Sequence, residues 1–358
     1  MCRPEGYIFK VNMNRQTIQK IFDSATASPQ IYEACLLVEN SKGDFSESFG
    51  YGGCDVGSPM IAASITKLFT TTCVLKLCEQ GRLSFEDKIS RYFDRDLLSG
   101  LHVFKGHEYS FDLTVSDLLF QTSGLPDKFE GWNNNGILKK NILEGDTYIT
   151  FEQYLDEIKS IAPHFAPNTG KKAYYANMNF DLLGEILEKV TETSLAEVYR
   201  QLIFTPLGLT ETCLPVDEED FVPHLYYKSQ RLERKKLIAS CRASGGCVST
   251  AKDLMTFSKA FWEGRLFDKK IFERLSVYRK LQINKGPIFY GGGYMQIPLG
   301  VFSTLFQGKG ELLGHSGSSG SIAFYYPTKD LHFVGNISQL AKPAAPVRLV
   351  MRLAMSKK

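Results

Sequence analysis

The sequence predicts an α+β fold: an antiparallel sheet flanked by helices, with a mainly helical lobe inserted between its strands. Two observations carry that expectation. Segments of β type gather near both ends of the chain, and helical or loop signals fill the stretch from about Leu83 to Leu209 between them. A chain of 358 residues that is 43% hydrophobic and 23% charged also has enough apolar material for a sizeable core. The expected organisation is one catalytic unit over residues 1–358. Residues 1–82 and 210–358 form its α/β lobe, and residues 83–209 form its mainly helical lobe.

Taken in order, Gln30–Ser41 is rich in β-forming and apolar residues, and Asp44–Tyr51 partly alternates before Gly52 and Gly53, so the two read as an antiparallel pair. Ile65–Glu79 carries apolar residues at roughly helical spacing and stops at Gly81, which places Ser64 at or near a helix start. Thr114–Phe120 reads as a short helix with Thr114 as its N-cap, closed by a turn at Ser123, Gly124 and Pro126. Trp132–Gly136 reads as a loop, and Phe180–Thr191 as an amphipathic helix. A helix from about Ala251 to Trp262 follows Gly245 and Gly246. The last third then reads as strands Gly291–Ile297, Glu311–Gly314, Ser321–Tyr326 and Leu331–Ile337, with a closing helix over Ala344–Met355.

Several function classes are disfavoured. The net charge is +3 with the two signs interspersed, and the densest basic stretch, Arg231, Arg234, Lys235 and Lys236, reads as a solvated face, so no nucleic-acid partner is expected. No run of about eighteen apolar residues predicts a transmembrane segment. Met1–Asn14 lacks the apolar run of a signal peptide, so the chain as given reads as cytoplasmic, or extracytoplasmic if an export signal has been removed. The eight cysteines show no CxxC spacing, so neither a metal site nor a disulfide framework is expected. No metal or organic cofactor is implied; the expected partner is a small-molecule or peptide substrate.

The chemistry-bearing motif is Ser64-Ile65-Thr66-Lys67. Residues three apart share a helix face, so the Lys67 amine reaches the Ser64 hydroxyl, and a serine needs such a base before it is a useful nucleophile. The helix start adds unpaired N–H groups where an oxyanion forms. SxxK alone is weak, because it recurs at Ser249-Thr250-Ala251-Lys252, where N-capping by the serine explains it. Two partners strengthen the first copy. Tyr175-Ala176-Asn177 is the only Tyr-x-Asn in the chain, and it lies just before the helix beginning near Phe180. His315-Ser316-Gly317 is the only [His/Lys]-[Ser/Thr]-Gly, and it follows the apolar Leu312 and Leu313 of a predicted strand.

With those three elements in that order, the chain resembles the serine β-lactamase-like and penicillin-binding protein family, within it the group of class C β-lactamases, D-alanyl-D-alanine carboxypeptidases and family VIII esterases. Leu113–Pro126, Phe180–Thr191, Thr205–Leu209 and Ser244–Leu254 are also similar to family segments, so the resemblance spans roughly residues 30 to 340. It implies a β-lactamase/transpeptidase-like fold and a serine hydrolase of carboxypeptidase or esterase type, acting through an acyl-enzyme on an ester, a D-amino-acid peptide or, weakly, a β-lactam. A non-catalytic relative that keeps the fold for binding or scaffolding is the alternative. Carried over, Ser64 is the nucleophile, and Lys67 and Tyr175 share the general-base and general-acid roles. Asn177 contacts Lys67 and the substrate amide, and the N–H groups of Ser64 and Ser318 form the oxyanion hole.

His315 stands where related β-lactamases carry Lys, and a histidine with an ordinary pKa near 6.5 supplies little positive charge at pH 7. Efficient β-lactam hydrolysis is therefore the less expected activity. Gln121 stands where many relatives have His. If a desolvated Lys67 is a strained group, Ser64→Gly and Lys67→Met are each expected to abolish acylation without lowering the melting temperature, which thermal unfolding of the two variants measures.

Overall fold

The computed structural model describes residues 13–128, 142–167, 172–300 and 308–356; the loop expected at Trp132–Gly136 lies outside the described residues. Helix α1 (Arg15–Thr26) is capped by the Asn14 side chain, which accepts from the Thr17 N–H. Strands β1 (Ala34–Asn40) and β2 (Ser46–Tyr51) form an antiparallel hairpin. The short β3 (Met60–Ile61) then leads through a 3-10 turn, Ala63–Ile65, into α2 (Thr66–Glu79). Between α2 and residue 209 the described elements are mainly helical, among them α3 (Val115–Leu119), α4 (Phe151–Lys159) and α5 (Asn177–Thr191). The chain returns through β4 (Val248–Ser249), which pairs with β3, and α6 (Ala251–Glu263). It finishes with β5 (Arg279–Lys280), β6 (Phe289–Tyr290), β7 (Met295–Pro298), β8 (Glu311–Ser316), β9 (Ser321–Tyr326), β10 (Leu331–Ile337) and α7 (Ala345–Met355).

Eight strands make one antiparallel sheet in the order β2-β1-β10-β9-β8-β7-β6-β5, so the first strands join the last ones at β1 and β10. Register shows how both faces are covered. Phe49, Leu36 and Gly335 stand opposite one another across three strands, and Phe49 packs on Phe22 of α1, ring centroids 5.8 Å apart. Glu39 and His332 are also a cross-strand pair, and both contact α6: Lys259 pairs with Glu39, and Ser258 bonds to His332. Leu36 and Glu39 are three apart on a strand, so these are opposite faces. Burial of both faces is why β10 is buried throughout and β1 nearly so, and why both read as continuous apolar runs rather than alternating ones.

Helix α2 is buried almost all round, and its three consecutive threonines are tolerated because each hydroxyl donates to a backbone carbonyl. Thr70 reaches Ala243 O at 2.7 Å, Thr71 reaches Lys67 O at 2.7 Å and Thr72 reaches Leu68 O at 2.8 Å. The expected cap of α3 is present as a capping box, Thr114 and Asp117 each accepting from the other's N–H.

His332 is fully buried between Ser258 (2.9 Å to Nδ1) and Ser41 (3.2 Å to Nε2), and burial pushes its pKa down to about 3. The unfolded chain therefore binds a proton near pH 6.5 that the folded chain refuses. This contribution to stability is complete above about pH 6.5 and is lost as pH falls towards 3, by about 1.4 kcal/mol per pH unit. Urea unfolding at pH 7 and pH 4.5 is expected to show a fall in stability on acidification that is smaller in His332→Gln; an equal fall in both proteins contradicts the assignment.

Candidate active site

Ser64 lies in the 3-10 turn that joins β3 to α2, one residue ahead of the Ile65 cap and two ahead of the first α-helical residue. Ala63 before it adopts a left-handed φ of 46°, a conformation that costs a non-glycine residue about 1–3 kcal/mol and persists only where its surroundings impose it. Those surroundings are explicit. The Ala62 N–H donates to Cys247 O at 2.8 Å, and the Ser321 hydroxyl donates to Ala62 O at 2.7 Å. Gly317 sits so close that a Cβ there would come within 2.7 Å of Ala62 O and 2.8 Å of Ala63 Cβ.

Lys67 is fully buried, and its Nζ donates to Ser64 Oγ at 3.2 Å, Asn177 Oδ1 at 2.7 Å and Ser244 O at 2.6 Å. In this arrangement the lysine is a donor to Ser64. Met at 67 removes a buried charge but leaves Asn177 Oδ1 and Ser244 O without this donor, at about 1–3 kcal/mol each. The structure thus alters the expectation of unchanged stability for Lys67→Met, while Ser64→Gly deletes only a hydroxyl from the cluster.

Tyr175 and Asn177 are brought to Lys67 by α5, which begins at Asn177, three residues before the expected start. Four of the residues leading in are pinned. The N–H groups of Tyr174, Tyr175 and Ala176 donate to Gln121 O (2.9 Å), Gln282 Oε1 (3.0 Å) and Gln121 Oε1 (2.9 Å), and that of Asn177 to Asp127 Oδ2. Gln121 Oε1 also accepts from Asn179 Nδ2 at 2.5 Å, and Gln121 itself holds a left-handed φ of 58°. The Tyr175 ring is 2% exposed, with Lys67 Nζ 4.9 Å and Lys285 Nζ 4.8 Å from its centroid.

His315 is the penultimate residue of β8, with its ring 5.9 Å from that of Tyr175 and 6.0 Å from that of Tyr290. Its Nδ1 lies 2.9 Å from Ser316 O, which assigns the proton there, and Nε2 has no hydrogen-bond partner among the described residues. Burial, reinforced by the Lys67 and Lys285 charges, pushes its pKa down to about 3, so the ring is neutral. Ser316 and Gly317 follow at the strand end, and Ser318 is exposed on the cleft that Ser64 also lines. Neither the Ser64 nor the Ser318 N–H donates to another described group.

The second SxxK is elsewhere and differs from its expected reading. The cap of α6 is Thr250, accepting from Asp253 N, whereas Ser249 is buried in β4 and bonds to the Thr212 hydroxyl at 2.8 Å. Sequence reasoning did not single out Ser244, whose contribution is a carbonyl with no side-chain signature, or Asp127 and Gln282, which act on backbone N–H groups. Gln121 stood out only as a departure from relatives, and its double acceptor role explains it. The cleft beside Ser64 and Asn177 is walled mainly by apolar side chains, including Ile149, Phe151, Tyr154, Leu237 and Ile238. Among the described residues there is no His/Cys/Asp/Glu cluster that could hold a metal ion, no helix long and apolar enough to cross a membrane, and no disulfide among the cysteines.

The sequence profile of the Beta-lactamase family matches residues 37–354. Penicillin-binding protein 4* of Bacillus subtilis (strain 168) is 26% identical over 332 residues, covering 85% of this chain and 66% of that protein. Protein flp of Staphylococcus aureus (strain N315) is 31% identical over 208 residues, covering 56% of this chain and 38% of that one, so the chain matches two thirds or less of these relatives' lengths. Among solved structures, a D-stereospecific amidohydrolase from Streptomyces sp. superposes with a TM-score of 0.75 at 24% identity, over 96% of this chain and 98% of the other. EstCE1, described as a hydrolase with promiscuous acyltransferase activity, gives 0.74 at 18% identity, over 95% and 98%. These structural likenesses establish a shared β-lactamase/transpeptidase-like fold.

Gln121→Ala removes the acceptor for the Ala176 N–H and the Asn179 amide. It is expected to lower stability by about 2 kcal/mol or more and to reduce turnover with it, as measured by urea unfolding and steady-state kinetics. Wild-type values for both would show that the clamp is not needed.

Proposed function

The chain belongs to the Beta-lactamase family, and from that premise we propose that it is a serine hydrolase working through an acyl-enzyme on Ser64. The observation that carries the reading is the 3.2 Å contact between Lys67 Nζ and Ser64 Oγ, with Nζ anchored on Asn177 and Ser244. On this reading residues 1–82 and 210–358 supply Ser64, Lys67 and the His315–Ser318 edge, residues 83–209 supply Tyr175 and Asn177, and all 358 form one catalytic unit.

An ammonium at Lys67 donates and cannot accept, so the base is the Lys67–Tyr175 pair sharing one exchangeable proton: with the proton on the amine, the phenolate is the acceptor. Lys67 Nζ and Lys285 Nζ lie 4.9 and 4.8 Å from the centroid of that ring. Ser64 Oγ attacks the substrate carbonyl carbon while its proton passes to the pair. The carbonyl oxygen takes the negative charge against the Ser64 and Ser318 N–H groups, each worth about 3 kcal/mol to the transition state. As the intermediate collapses, the bond to the leaving alcohol or amine breaks and the pair returns the proton to it. Water then attacks the ester on Ser64 with the same groups in reverse, releasing the acid. Asn177 holds Lys67 and presents its N–H₂ to the substrate amide.

The favoured substrate is an ester or an amide, including a D-amino-acid peptide, with a β-lactam acylating the site but turned over only weakly. His315 is buried and neutral, so the third motif offers no fixed cation for a β-lactam carboxylate. The amidohydrolase and hydrolase among the structural neighbours fit that choice.

Intact-mass analysis after incubation with a penicillin and with p-nitrophenyl esters is expected to show an acyl adduct on the wild type and none on Ser64→Ala, with ester turnover lost in the variant. An adduct retained by Ser64→Ala, or no adduct and no turnover in the wild type, would place the protein among non-catalytic binding relatives instead.

A further inference from the structure

Acyl transfer leaves the Asp181 carboxyl of the cleft unused. Asp181 follows Asn177 by one helical turn on α5, so the two side chains share a face, and both line the cleft with Ser64. Asp181 Oδ1 is buried and has no hydrogen-bond partner among the described residues. Burial raises its carboxyl to about pKa 7, opposed by the Ser244 hydroxyl and the Lys67 charge nearby. The carboxylates further along the same helix are differently placed. Glu185 and Glu188 both pair with Arg242, at 2.7 and 2.5 Å, so that guanidinium is already committed. The same cleft is lined by the apolar Phe151, Tyr154, Leu237 and Ile238 and by Glu185, whose carboxylate is paired with Arg242, so Asp181 is the cleft carboxyl with an oxygen still open to an ammonium.

We propose that Asp181 is a specificity subsite for a cationic amine carried on the acyl portion of the substrate, seated one helical turn from the Ser64–Lys67–Asn177 cluster, with the apolar wall taking the rest of that acyl group. This rests on the reading of Ser64 as the acylated residue. The physical reason is that the unpartnered Oδ1 of Asp181 gains a hydrogen-bond donor when an ammonium arrives, and stays without one when a neutral isostere binds instead. A site of this kind discriminates through the group left unsatisfied in the wrong complex, which is a larger effect than the loss of a methylene contact. The preferred substrate class is therefore an amine-bearing acyl ester or amide with an apolar side chain, and N-acylated versions are the disfavoured ones.

The test compares phenylalanine p-nitroanilide with 3-phenylpropionyl p-nitroanilide, which lacks only the amine, on the wild type and on Asp181→Asn. The ratio of the two kcat/KM values on one enzyme cancels any difference in folded fraction, so a poorly folding variant still reports. The wild type is expected to favour the amine-bearing substrate by on the order of 10-fold or more, and Asp181→Asn to bring the ratio close to one. An unchanged ratio in Asp181→Asn, or a wild-type ratio near one, overturns the subsite. Covalent labelling of Ser64 by a fluorophosphonate, run in parallel, separates the two readings: labelling with no amine preference removes the subsite alone, whereas no labelling removes the acyl-enzyme reading on which it stands.

Discussion

One buried ammonium organises this molecule. Lys67 is fully buried, and a charge in that position is tolerable only with its protons placed on acceptors. Those acceptors come from three distant parts of the chain: Ser64 in the turn before α2, Asn177 at the start of α5, and the carbonyl of Ser244 in the short helix Arg242–Gly245. The packing of α2, α5 and that short helix therefore has to be mutually consistent to within hydrogen-bonding distance. The left-handed Ala63 turn is part of the same constraint, because it is what presents Ser64 to the amine, and Cys247, Ser321 and Gly317 hold it in place.

Around that centre the polar groups are arranged to fix backbone as much as to offer chemistry. Gln121, Gln282 and Asp127 all spend acceptor oxygens on the segment that carries Tyr175 and Asn177. The consequence for substrate choice is a cleft with apolar walls and a neutral third motif at His315. Among the charged groups of the cleft, Glu185 is paired with Arg242, whereas Asp181 Oδ1 has no hydrogen-bond partner among the described residues.

How much of this was legible in the sequence depends on which physical signal each part leaves. Strands β9 and β10 were read with their observed boundaries, because apolar β-forming runs end there at a turn from Pro327 to Asp330. Strands β5, at the sheet edge, and β6 beside it are two residues each, too short to carry a period legible in the sequence. The expected strand at Gly291 starts only at Met295, since Gly291–Gly293 pack closely against Leu275 and Thr71 and carry no side chains of their own. Helix α5 starts before its apolar stripe does, because the early turn is held by side-chain acceptors from elsewhere rather than by its own pattern. The motif residues Ser64, Lys67, Tyr175, Asn177 and His315 could be named because their chemistry lies in side chains. Ser244 could not, because a carbonyl belongs to every residue.

The central claim is that Lys67 and Tyr175 act on Ser64 as one unit, and a double-mutant cycle on the acylation rate tests it most directly. If they share one proton, Lys67→Met and Tyr175→Phe should each slow acylation by on the order of 10³-fold, and the double variant should be little slower than either alone. Losses that multiply, leaving the double variant slower by the product of the two, would mean the amine and the phenol act independently and would contradict the account.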